Sequence, residues 1–289
     1  MSGTTVRVTY LGPPGTFSED ALRAAVGDEV VEAIPSASVY DAIIALREGA
    51  ADRALVPFEN SIEGAVTATL DTLAFDADGL TLVGEYDLPI RHCLIARDRI
   101  PLERIEVVLS HPQASAQCAR FIRESLPQAE VRAAPSTAEA VRSVAESDRP
   151  WAALGAESAA RLYGAAILRH GVEDEADNIT RFVWVAREGT KPSGSGPWRT
   201  SLVFSELGED HPGALVDALR VFSSREVNLT RIESRPLRRG LGRYQFFLDI
   251  EGAADDEPLA SALEDLRSKA ETVRVLGSWP TAAPPGVPG

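Results

Sequence analysis

Short apolar runs and amphipathic stretches alternate along the first 187 residues, and this alternation limits the folds open to the chain. The apolar run Val6–Leu11 is followed by a glycine-proline loop and then by apolar residues at helical spacing. The same order recurs over residues 105–126 and again from residue 151. Strands that alternate with helices form parallel sheets whose faces the helices cover. The pattern therefore predicts an α/β fold.

The order of elements changes after a segment rich in glycine, serine and proline. Residues 188–198 have the composition of a flexible linker, which separates a first domain (1–187) from a smaller one (199–279). In the smaller domain the predicted order is strand, helix, strand, strand, helix, strand. This βαββαβ order is typical of a ferredoxin-like module. Residues 280–289 contain four prolines, which predicts an unfolded tail.

The overall charge excludes one large class of partner. Asp and Glu number 43 against 29 Lys and Arg, so the net charge is −14 and the surface would repel phosphate backbones. Lys191 and Lys269 are the only lysines, so an anion site would use arginine or backbone N–H groups. Two cysteines, and four histidines without metal-ligand spacing, predict neither a disulfide framework nor a metal site.

Nothing in the sequence directs the chain to a membrane or to export. Residues 1–8 lack a basic segment followed by an apolar run, and no stretch reaches the ~20 apolar residues of a membrane span. We therefore expect a soluble, cytoplasmic protein.

The first motif is the loop of residues 12–18 (GPPGTFS), between a predicted strand and a predicted helix. Its glycines would let a ligand approach the backbone, and the helix end would offer N–H groups to an anion. Thr16 and Glu19 have the spacing of a capping box, so a tight turn with a good cap also explains the pattern. On spacing alone we favour the turn, because neither a Walker lysine nor GxGxxG is present.

The second motif, Glu59-Asn60-Ser61, follows a predicted strand at residues 54–56. It supplies an acid, an amide and a hydroxyl at the carboxyl end of a strand, where ligands bind in open α/β sheets. A capping turn, with Ser61 as N-cap and Glu59 in solvent, matches the pattern equally well.

The third motif, residues 110–113 (SHPQ), begins a helix predicted over residues 113–126. Gln113 and Gln117 are four residues apart and share one helix face. His111 could cap this helix, which is the commoner role of a lone histidine. Cys118 has the position of a small core residue.

The fourth motif, residues 178–182 (NITRF), enters the last predicted strand before the linker. Its polar and basic side chains could face a cleft. An ordinary strand start is the alternative, and we would prefer it if the motif stood alone.

In this order, the four motifs resemble the prephenate dehydratase family. The module after the linker resembles an ACT domain through residues 212–215 (PGAL), 228–229 (NL) and 233–236 (ESRP). The resemblance covers roughly residues 5 to 278, which is nearly the whole chain. It implies conversion of prephenate into phenylpyruvate, CO2 and water, in phenylalanine biosynthesis and without a cofactor.

The resemblance also implies roles for individual residues. Thr180 is the expected hydrogen-bond donor to the leaving hydroxyl. Glu59 is the other candidate donor, provided that it is buried, and the sequence does not choose between them. The residues expected to bind the substrate are Thr16, Asn60, Ser61, His111, Gln117, Arg181 and Phe182.

For the fold, the resemblance implies two lobes around a cleft, as in type 2 periplasmic binding proteins. Lobe one would contain residues 1–85 and 177–187, and lobe two residues 86–176. The chain would thus cross between the lobes near Glu85 and return near Asp177. Closure of the cleft would exclude water from the substrate.

The ACT-like module implies feedback by L-phenylalanine, with two modules pairing in a homodimer or homotetramer. The effector residues expected from the resemblance are Gly213, Ala214, Leu215, Asn228, Glu233, Ser234, Arg235 and Pro236. From the pattern alone, residues 233–236 could be an edge strand that ends at a proline, and the family resemblance favours ligand binding.

Three other functions are compatible with parts of this pattern. Arogenate dehydratase differs only in an amine that replaces the keto group of the substrate. A non-catalytic amino-acid sensor would share the fold, but the joint presence of Glu59, Asn60, Gln117 and Thr180 favours an enzyme. A receptor for transported solutes would require an export signal and would not explain the ACT-like module.

Overall fold

The structure, a computed structural model, describes residues 5–207 and 212–282. Within them, the strands are β1 (Val6–Leu11), β2 (Val31–Ser36), β3 (Arg53–Asn60), β4 (Gly64–Ala65), β5 (Leu80–Pro89), β6 (Cys93–Ala96), β7 (Val107–Ser110), β8 (Glu130–Ala133), β9 (Trp151–Gly155), β10 (Ala166–His170), β11 (Ile179–Arg187), β12 (Ser195–Ser205), β13 (Leu229–Pro236), β14 (Tyr244–Glu251) and β15 (Thr272–Ala282). The helices are α1 (Phe17–Val26), α2 (Val39–Arg47), α3 (Thr67–Phe75), α4 (Pro112–Gln117), α5 (Ala119–Ser125), α6 (Thr137–Ala145), α7 (Glu157–Tyr163), α8 (Ala214–Ser223) and α9 (Leu259–Arg267). In this part of the chain, no helix combines the length and the apolar character needed to span a bilayer.

Lobe one is built on strands in the order β2-β1-β3-β11-β5. The first three are parallel, and β11 runs antiparallel to both of its neighbours. Helix α1 packs on one face of this sheet, where Leu22 contacts a core that includes Tyr10 and Trp184. Helices α2 and α3 pack on the other face.

Lobe two has a separate five-stranded sheet with the order β8-β7-β9-β6-β10. Its first three strands are again parallel, and β6 runs antiparallel to both of its neighbours. The two lobes therefore have the same strand arrangement. The predicted α/β fold with two lobes is confirmed.

The chain crosses between the lobes twice. It leaves lobe one after Pro89, four residues beyond the predicted crossing at Glu85, because β5 continues to pair with β11 as far as Pro89. It returns before Ile179, close to the predicted residue 177. The two crossing segments touch, since the Ile90 N–H donates to the Asn178 carbonyl at 2.8 Å.

The C-terminal module has the predicted βαββαβ order, with its strands arranged β13-β14-β12-β15. Its sheet continues into that of lobe one, because β15 lies beside β5 where Gly277 pairs with Leu82. A side chain at residue 277 would overlap the Leu82 carbonyl oxygen, so only glycine fits this junction. Phe247 and Trp279 of the module also share a hydrophobic core with lobe one.

Two predicted elements have different bounds in the structure. The strand predicted at residues 54–56 extends to Asn60, because residues 59 and 60 pair with β11. The single helix predicted over residues 113–126 is two helices, α4 and α5. The helix breaks at Cys118 because the carboxylate of Asp174 accepts the N–H groups of Arg120 and Phe121.

The predicted linker and tail are both shorter than expected. Strand β12 begins at Ser195, within the linker predicted over 188–198, and β15 extends to Ala282, into the predicted tail. The two ends pair with each other, which supplies the hydrogen bonds that a solvated linker would make to water. Residues 283–289 of the predicted tail lie outside the described residues.

Candidate active site

A cavity of about 760 Å³ lies between the two lobes. It opens where β1, β2, β7 and β8 end, as expected for ligand sites in α/β sheets. Its volume is typical of a small-molecule site. The predicted site residues that line the cavity are Thr16, Asn60, His111, Gln117, Thr180 and Phe182.

Helices from both lobes begin at this cavity. Thr16 caps α1 by accepting the Glu19 N–H at 3.4 Å, and Ser136 caps α6 by accepting the Glu139 N–H at 3.0 Å. His111 caps α4, where its Nδ1 accepts the Gln113 N–H at 3.4 Å. Thr16, His111 and Ser136 all line the cavity, so the two predicted caps, Thr16 and His111, border the site together with the Ser136 cap.

Among the described residues that line the cavity, none is a lysine or an arginine. The positive ends of the helix dipoles are then its main source of positive potential. First-turn residues Phe17 and Thr137 line the cavity from opposite lobes. The N-termini of α1 and α6 thus provide places for anionic groups on opposite sides of one space.

Asn60 holds the hydroxyl group of Thr180 in a defined direction. Its Oδ1 accepts the backbone N–H groups of Ile62 and Glu63, each at 3.0 Å, so its Nδ2 must lie on the other side of the amide. That Nδ2 donates to Thr180 Oγ1 at 2.9 Å. Because this oxygen accepts a hydrogen bond, the hydroxyl proton of Thr180 is left to donate to another group.

A second set of hydrogen bonds connects Asn60 to lobe two. Asn60 Nδ2 donates to Asn178 Oδ1 at 2.7 Å, and Asn178 Nδ2 donates to Gln117 Oε1 at 3.0 Å. His92 Nε2 lies 3.1 Å from the same Gln117 oxygen. Asn178 and His92 are 1% and 2% exposed, and both line the cavity.

His92 and Asn178 were not among the predicted site residues. Burial lowers the pKa of His92, although the hydrogen bond with Gln117 opposes the shift. The imidazole is therefore neutral at pH 7. Its ring is perpendicular to that of Phe17, with 5.2 Å between the ring centroids. Asn178 stood within the fourth motif, but the sequence offered no reason to separate it from a strand start. Nothing in the sequence around His92 indicated that it belongs to the site.

Three predicted site residues lie away from the cavity. Glu59 and Arg181 form an ion pair at 3.4 Å on the opposite face of the lobe-one sheet. The Ser61 hydroxyl accepts the Ile179 N–H and donates to the Asp177 carbonyl, so it connects two backbone segments and does not cap a helix. The Glu59 side chain is 28% exposed, which does not meet the condition of burial that a proton donor at this position required.

The position of Glu59 follows from a bulge in the pairing of β3 with β11. Thr180 pairs with Asn60 and Arg181 with Glu59, but Phe182 pairs with Pro57, so Phe58 is the extra residue. Phe58 and Glu59 therefore both point toward the C-terminal module. Pro57 and Asn60 remain on the cavity side, together with Thr180 and Phe182.

An ion cluster surrounds Arg181 on that opposite face. Its Nη1 is 3.2 Å from Asp249 of β14, which is completely buried. Arg231 donates two further hydrogen bonds to the same carboxylate, and Ser201 donates one. Burial favours protonation of Asp249, but Arg231, Ser201 and Arg181 stabilise the carboxylate more strongly, so its pKa is lowered.

Comparison with known proteins agrees with this geometry. The family model of prephenate dehydratase matches residues 8–190, and the model of the ACT domain matches residues 206–268. The chain belongs to the prephenate dehydratase family. The two matches also agree with the division into a two-lobed part and a C-terminal ACT module.

Individual relatives cover nearly the whole chain. A prephenate dehydratase from Mycobacteroides abscessus is 44% identical over 288 residues, which is 97% of this chain and 92% of the relative. The crystal structure of prephenate dehydratase from Arthrobacter aurescens in complex with L-Phe has a TM-score of 0.88 at 41% identity, covering 98% of this chain and 93% of that chain. GqqA, described as a novel type of quorum quenching acylase, has a TM-score of 0.84 at 33% identity, covering 96% and 98%.

The effector residues expected from the prephenate dehydratase family lie at two places in the ACT module. Gly213, with φ of 98°, precedes α8, and Asn228 lines a surface pocket of about 420 Å³ beside that helix. Residues 233–236 lie on β13, at the edge of the sheet. Arg235 makes a bidentate pair with Asp71 of α3, at 3.0 and 2.8 Å, so its guanidinium group is engaged by lobe one.

Proposed function

We propose that this chain converts prephenate into phenylpyruvate, CO2 and water. The observation that carries the proposal is the hydrogen bond from Asn60 Nδ2 to Thr180 Oγ1, because it leaves the Thr180 hydroxyl proton to donate into the cavity. Family membership supports the same activity.

In this reaction the bond between the ring and its hydroxyl group breaks, and so does the bond between the ring and its carboxylate. When CO2 departs, the electron pair of the broken bond stays on the ring and becomes part of the aromatic system. The departing hydroxide takes a proton that comes ultimately from solvent. No oxidant, reductant or covalent intermediate is required. Donation by Thr180 to the departing oxygen stabilises the charge that develops there.

The substrate is a dianion, and the cavity offers helix N-termini for its two carboxylates. We propose that α1 receives one carboxylate, near Thr16, and that α6 receives the other. Gln117 and His111 would contact the ring or its substituents from lobe two. Phe182, on the cavity face of β11, would pack against the ring.

GqqA is described as an acylase, and nucleophilic catalysis is one route to acyl transfer. The arrangement around Thr180 does not suit that route. An activated nucleophile has a general base within reach that removes its proton. Here the nearest partner of Thr180 Oγ1 is an amide donor, which makes the oxygen less nucleophilic. We therefore place the dehydration reaction first.

The test is the formation of phenylpyruvate from prephenate at neutral pH, against a control without enzyme because prephenate aromatises spontaneously in acid. Arogenate is measured in parallel, since none of the named residues separates a keto group from an amine. Turnover of prephenate supports the proposal. If only arogenate is turned over, the chain is an arogenate dehydratase. If neither substrate is turned over, the result favours a non-catalytic amino-acid sensor.

We further propose that L-phenylalanine binds the ACT module and changes the rate of this reaction. The Arthrobacter aurescens relative was crystallised in complex with L-Phe. The expected site combines the start of α8, Asn228 and residues 233–236. Equilibrium binding, and rates with and without L-phenylalanine, test the proposal; no binding and no rate change would contradict it.

A homodimer or homotetramer would complete that effector site. The ACT module exposes the apolar side chains of Val216 and Ile232, which are 57% and 49% accessible in the single chain. We propose that a second copy covers this surface, and light scattering with and without L-phenylalanine tests it. We also propose a cytoplasmic location, because the reaction belongs to amino-acid synthesis; cell fractionation is the test.

A further inference from the structure

We propose that Asn178 is a positioning residue of the dehydration reaction, which directs two hydrogen-bond donors into the cavity from opposite lobes. One donor is the hydroxyl of Thr180 in lobe one, and the other is the Nε2 group of Gln117 in lobe two. The inference rests on the proposed function.

The direction of the hydrogen bonds is set at one end by the backbone. The N–H groups of Ile62 and Glu63 can only donate, so the Asn60 oxygen faces them and the Asn60 nitrogen faces Asn178. Asn178 must then present its oxygen to Asn60 and its nitrogen to Gln117. The 3.0 Å contact between Asn178 Nδ2 and Gln117 Oε1 has this polarity.

The same polarity continues into lobe two. Gln117 Oε1 accepts from Asn178, so its contact at 3.1 Å with His92 requires the imidazole proton to be on Nε2. With its oxygen occupied by these two donors, the Gln117 amide turns its Nε2 group away from them. Gln117 lines the cavity, and we take this nitrogen as the donor to a ligand there.

Asn178 lies where the two lobes meet, which makes it suited to this role. Its backbone carbonyl accepts the Ile90 N–H at 2.8 Å, and this bond ties together the two segments that cross between the lobes. Its side chain is 1% exposed and contacts Asn60 on one side and Gln117 on the other. A displaced Asn178 amide would therefore release the Gln117 amide directly and would remove one of the contacts that hold Asn60 beside Thr180.

Replacing the amide by a carboxyl group tests polarity without changing shape. In Asn178→Asp, an ionised carboxylate can still accept from Asn60 but cannot donate to Gln117, and it would repel the Gln117 oxygen. When protonated, its O–H can donate to Gln117 while the other oxygen accepts from Asn60. The variant should therefore recover activity as the pH falls.

Acidic groups near residue 178 would bring this titration toward neutral pH. A pocket of about 290 Å³ is lined jointly by Asn178, Gln117 and four acids, namely Glu63, Glu173, Asp174 and Glu175, and Asp177 precedes Asn178 in the chain. Like charges and burial both favour the protonated form of a carboxyl group there. His92 also faces Gln117, and burial lowers its pKa; it is present in wild type and in both variants.

The experiment measures kcat and KM for prephenate between pH 8 and pH 5.5, with the uncatalysed rate subtracted, for wild type, Asn178→Asp and Asn178→Leu. At pH 8 we expect kcat of Asn178→Asp to be about tenfold or more below that of wild type, with a smaller change in KM, because misdirected groups mainly affect the transition state. The ratio of variant to wild-type kcat should rise as the pH falls. The ratio for Asn178→Leu, which cannot titrate, should stay low and constant; taking ratios cancels the titration of the surrounding acids.

A ratio for Asn178→Asp that is independent of pH, or a kcat equal to that of wild type, would overturn the proposal. If Asn178→Asp does not fold at pH 8, Asn178→Ser replaces it, since a short hydroxyl cannot reach both partners. It should lower kcat equally at every pH, and an unchanged kcat would be the contradicting result. If wild type turns over prephenate and the variants do so equally well, only the role of Asn178 is contradicted. If wild type itself is inactive, the proposed function is contradicted.

Discussion

One face of strand β11 lines a cavity with no lysine or arginine among its described residues, whereas the opposite face carries an ion cluster shared with the ACT module. Thr180 and Phe182 lie on the first face, and Arg181 lies between them on the second. Side chains of successive strand residues point in opposite directions, so neighbours in sequence enter different environments. The cavity face uses directional hydrogen bonds between neutral groups, and the other face uses buried ions.

The difference indicates how one strand can serve two tasks. A neutral amide and a hydroxyl can orient a proton by hydrogen bonds alone. Because they carry no charge, they neither repel the carboxylates of a dianionic substrate nor form ion pairs with them. Buried ions, in contrast, are costly to separate, so the cluster around Asp249 holds the ACT module against lobe one. The predictions below test this separation of tasks.

The largest expected effect is on the cavity face. Thr180→Val keeps the shape of the side chain but removes the hydroxyl, so kcat should fall by about 10²-fold or more, the usual size of a contribution from proton donation. The melting temperature should change little. Thr180→Ser, which keeps the hydroxyl, is the matched control and should retain most of the activity. Equal losses in the two variants would show that the methyl group, not the hydroxyl, matters.

On the opposite face, Asp249→Asn should mainly lower stability. It removes the charge that offsets Arg231 and Arg181, and breaking a buried ion pair typically costs about 3–5 kcal/mol. Urea unfolding measures the change. Because the folded pKa of Asp249 is lowered, its stabilisation is present above the ordinary value of 3.8 and is lost as the pH falls through the folded pKa.

The gap between wild type and Asp249→Asn should thus be constant from pH 8 to pH 5 and shrink at lower pH. A gap that widens in acid would contradict the lowered pKa.

The junction of the two sheets should show a smaller effect. Gly277→Ala places a methyl group against the Leu82 carbonyl, and overpacking of this kind costs about 1–3 kcal/mol. We expect the response of the rate to L-phenylalanine to weaken more than the basal kcat, because β15 would separate from β5. The measurement compares both quantities in one preparation. If L-phenylalanine changes the rate of Gly277→Ala as much as that of wild type, its effect does not depend on this junction.

The smallest effect should come from Glu59→Gln. Glu59 is partly exposed and pairs with Arg181 away from the cavity, and exposed ion pairs contribute at most about 1 kcal/mol. The change in kcat should therefore stay below about fivefold. A loss comparable to that of Thr180→Val would return Glu59 to the list of proton donors.

The sequence predicts the α/β class, the βαββαβ module and the cavity residues that end strands or cap helices, because these follow from local periodicity and capping. It does not separate Asn60 from Glu59, because the predicted strand ended at residue 56. Had the strand been extended, its period of two would have placed the two residues on opposite faces. The bulge at Phe58 depends on pairing with β11, which no local pattern reveals.

His92 and Asn178 show another limit of prediction from sequence, which is that local patterns do not reveal contacts between distant residues. They lie 86 positions apart in the chain and meet through Gln117, near the places where the chain crosses between lobes. A lone buried histidine and an asparagine before a strand are common in core and turn positions. Only the packing of the two lobes gives them a shared role.

The most direct test compares two adjacent residues in one assay. Steady-state kcat for phenylpyruvate formation is measured for wild type, Thr180→Val and Arg181→Gln at neutral pH, with urea unfolding of the same samples. We predict that Thr180→Val loses about 10²-fold or more in kcat with nearly unchanged stability. Arg181→Gln should lose stability, because it removes a partner of the buried Asp249 carboxylate, but keep kcat within about fivefold of wild type. The contradicting result would be an equal loss of kcat in both variants, or a greater loss in Arg181→Gln. Either would show that the chemistry is not confined to the cavity face of β11, with the opposite face serving only to hold the ACT module.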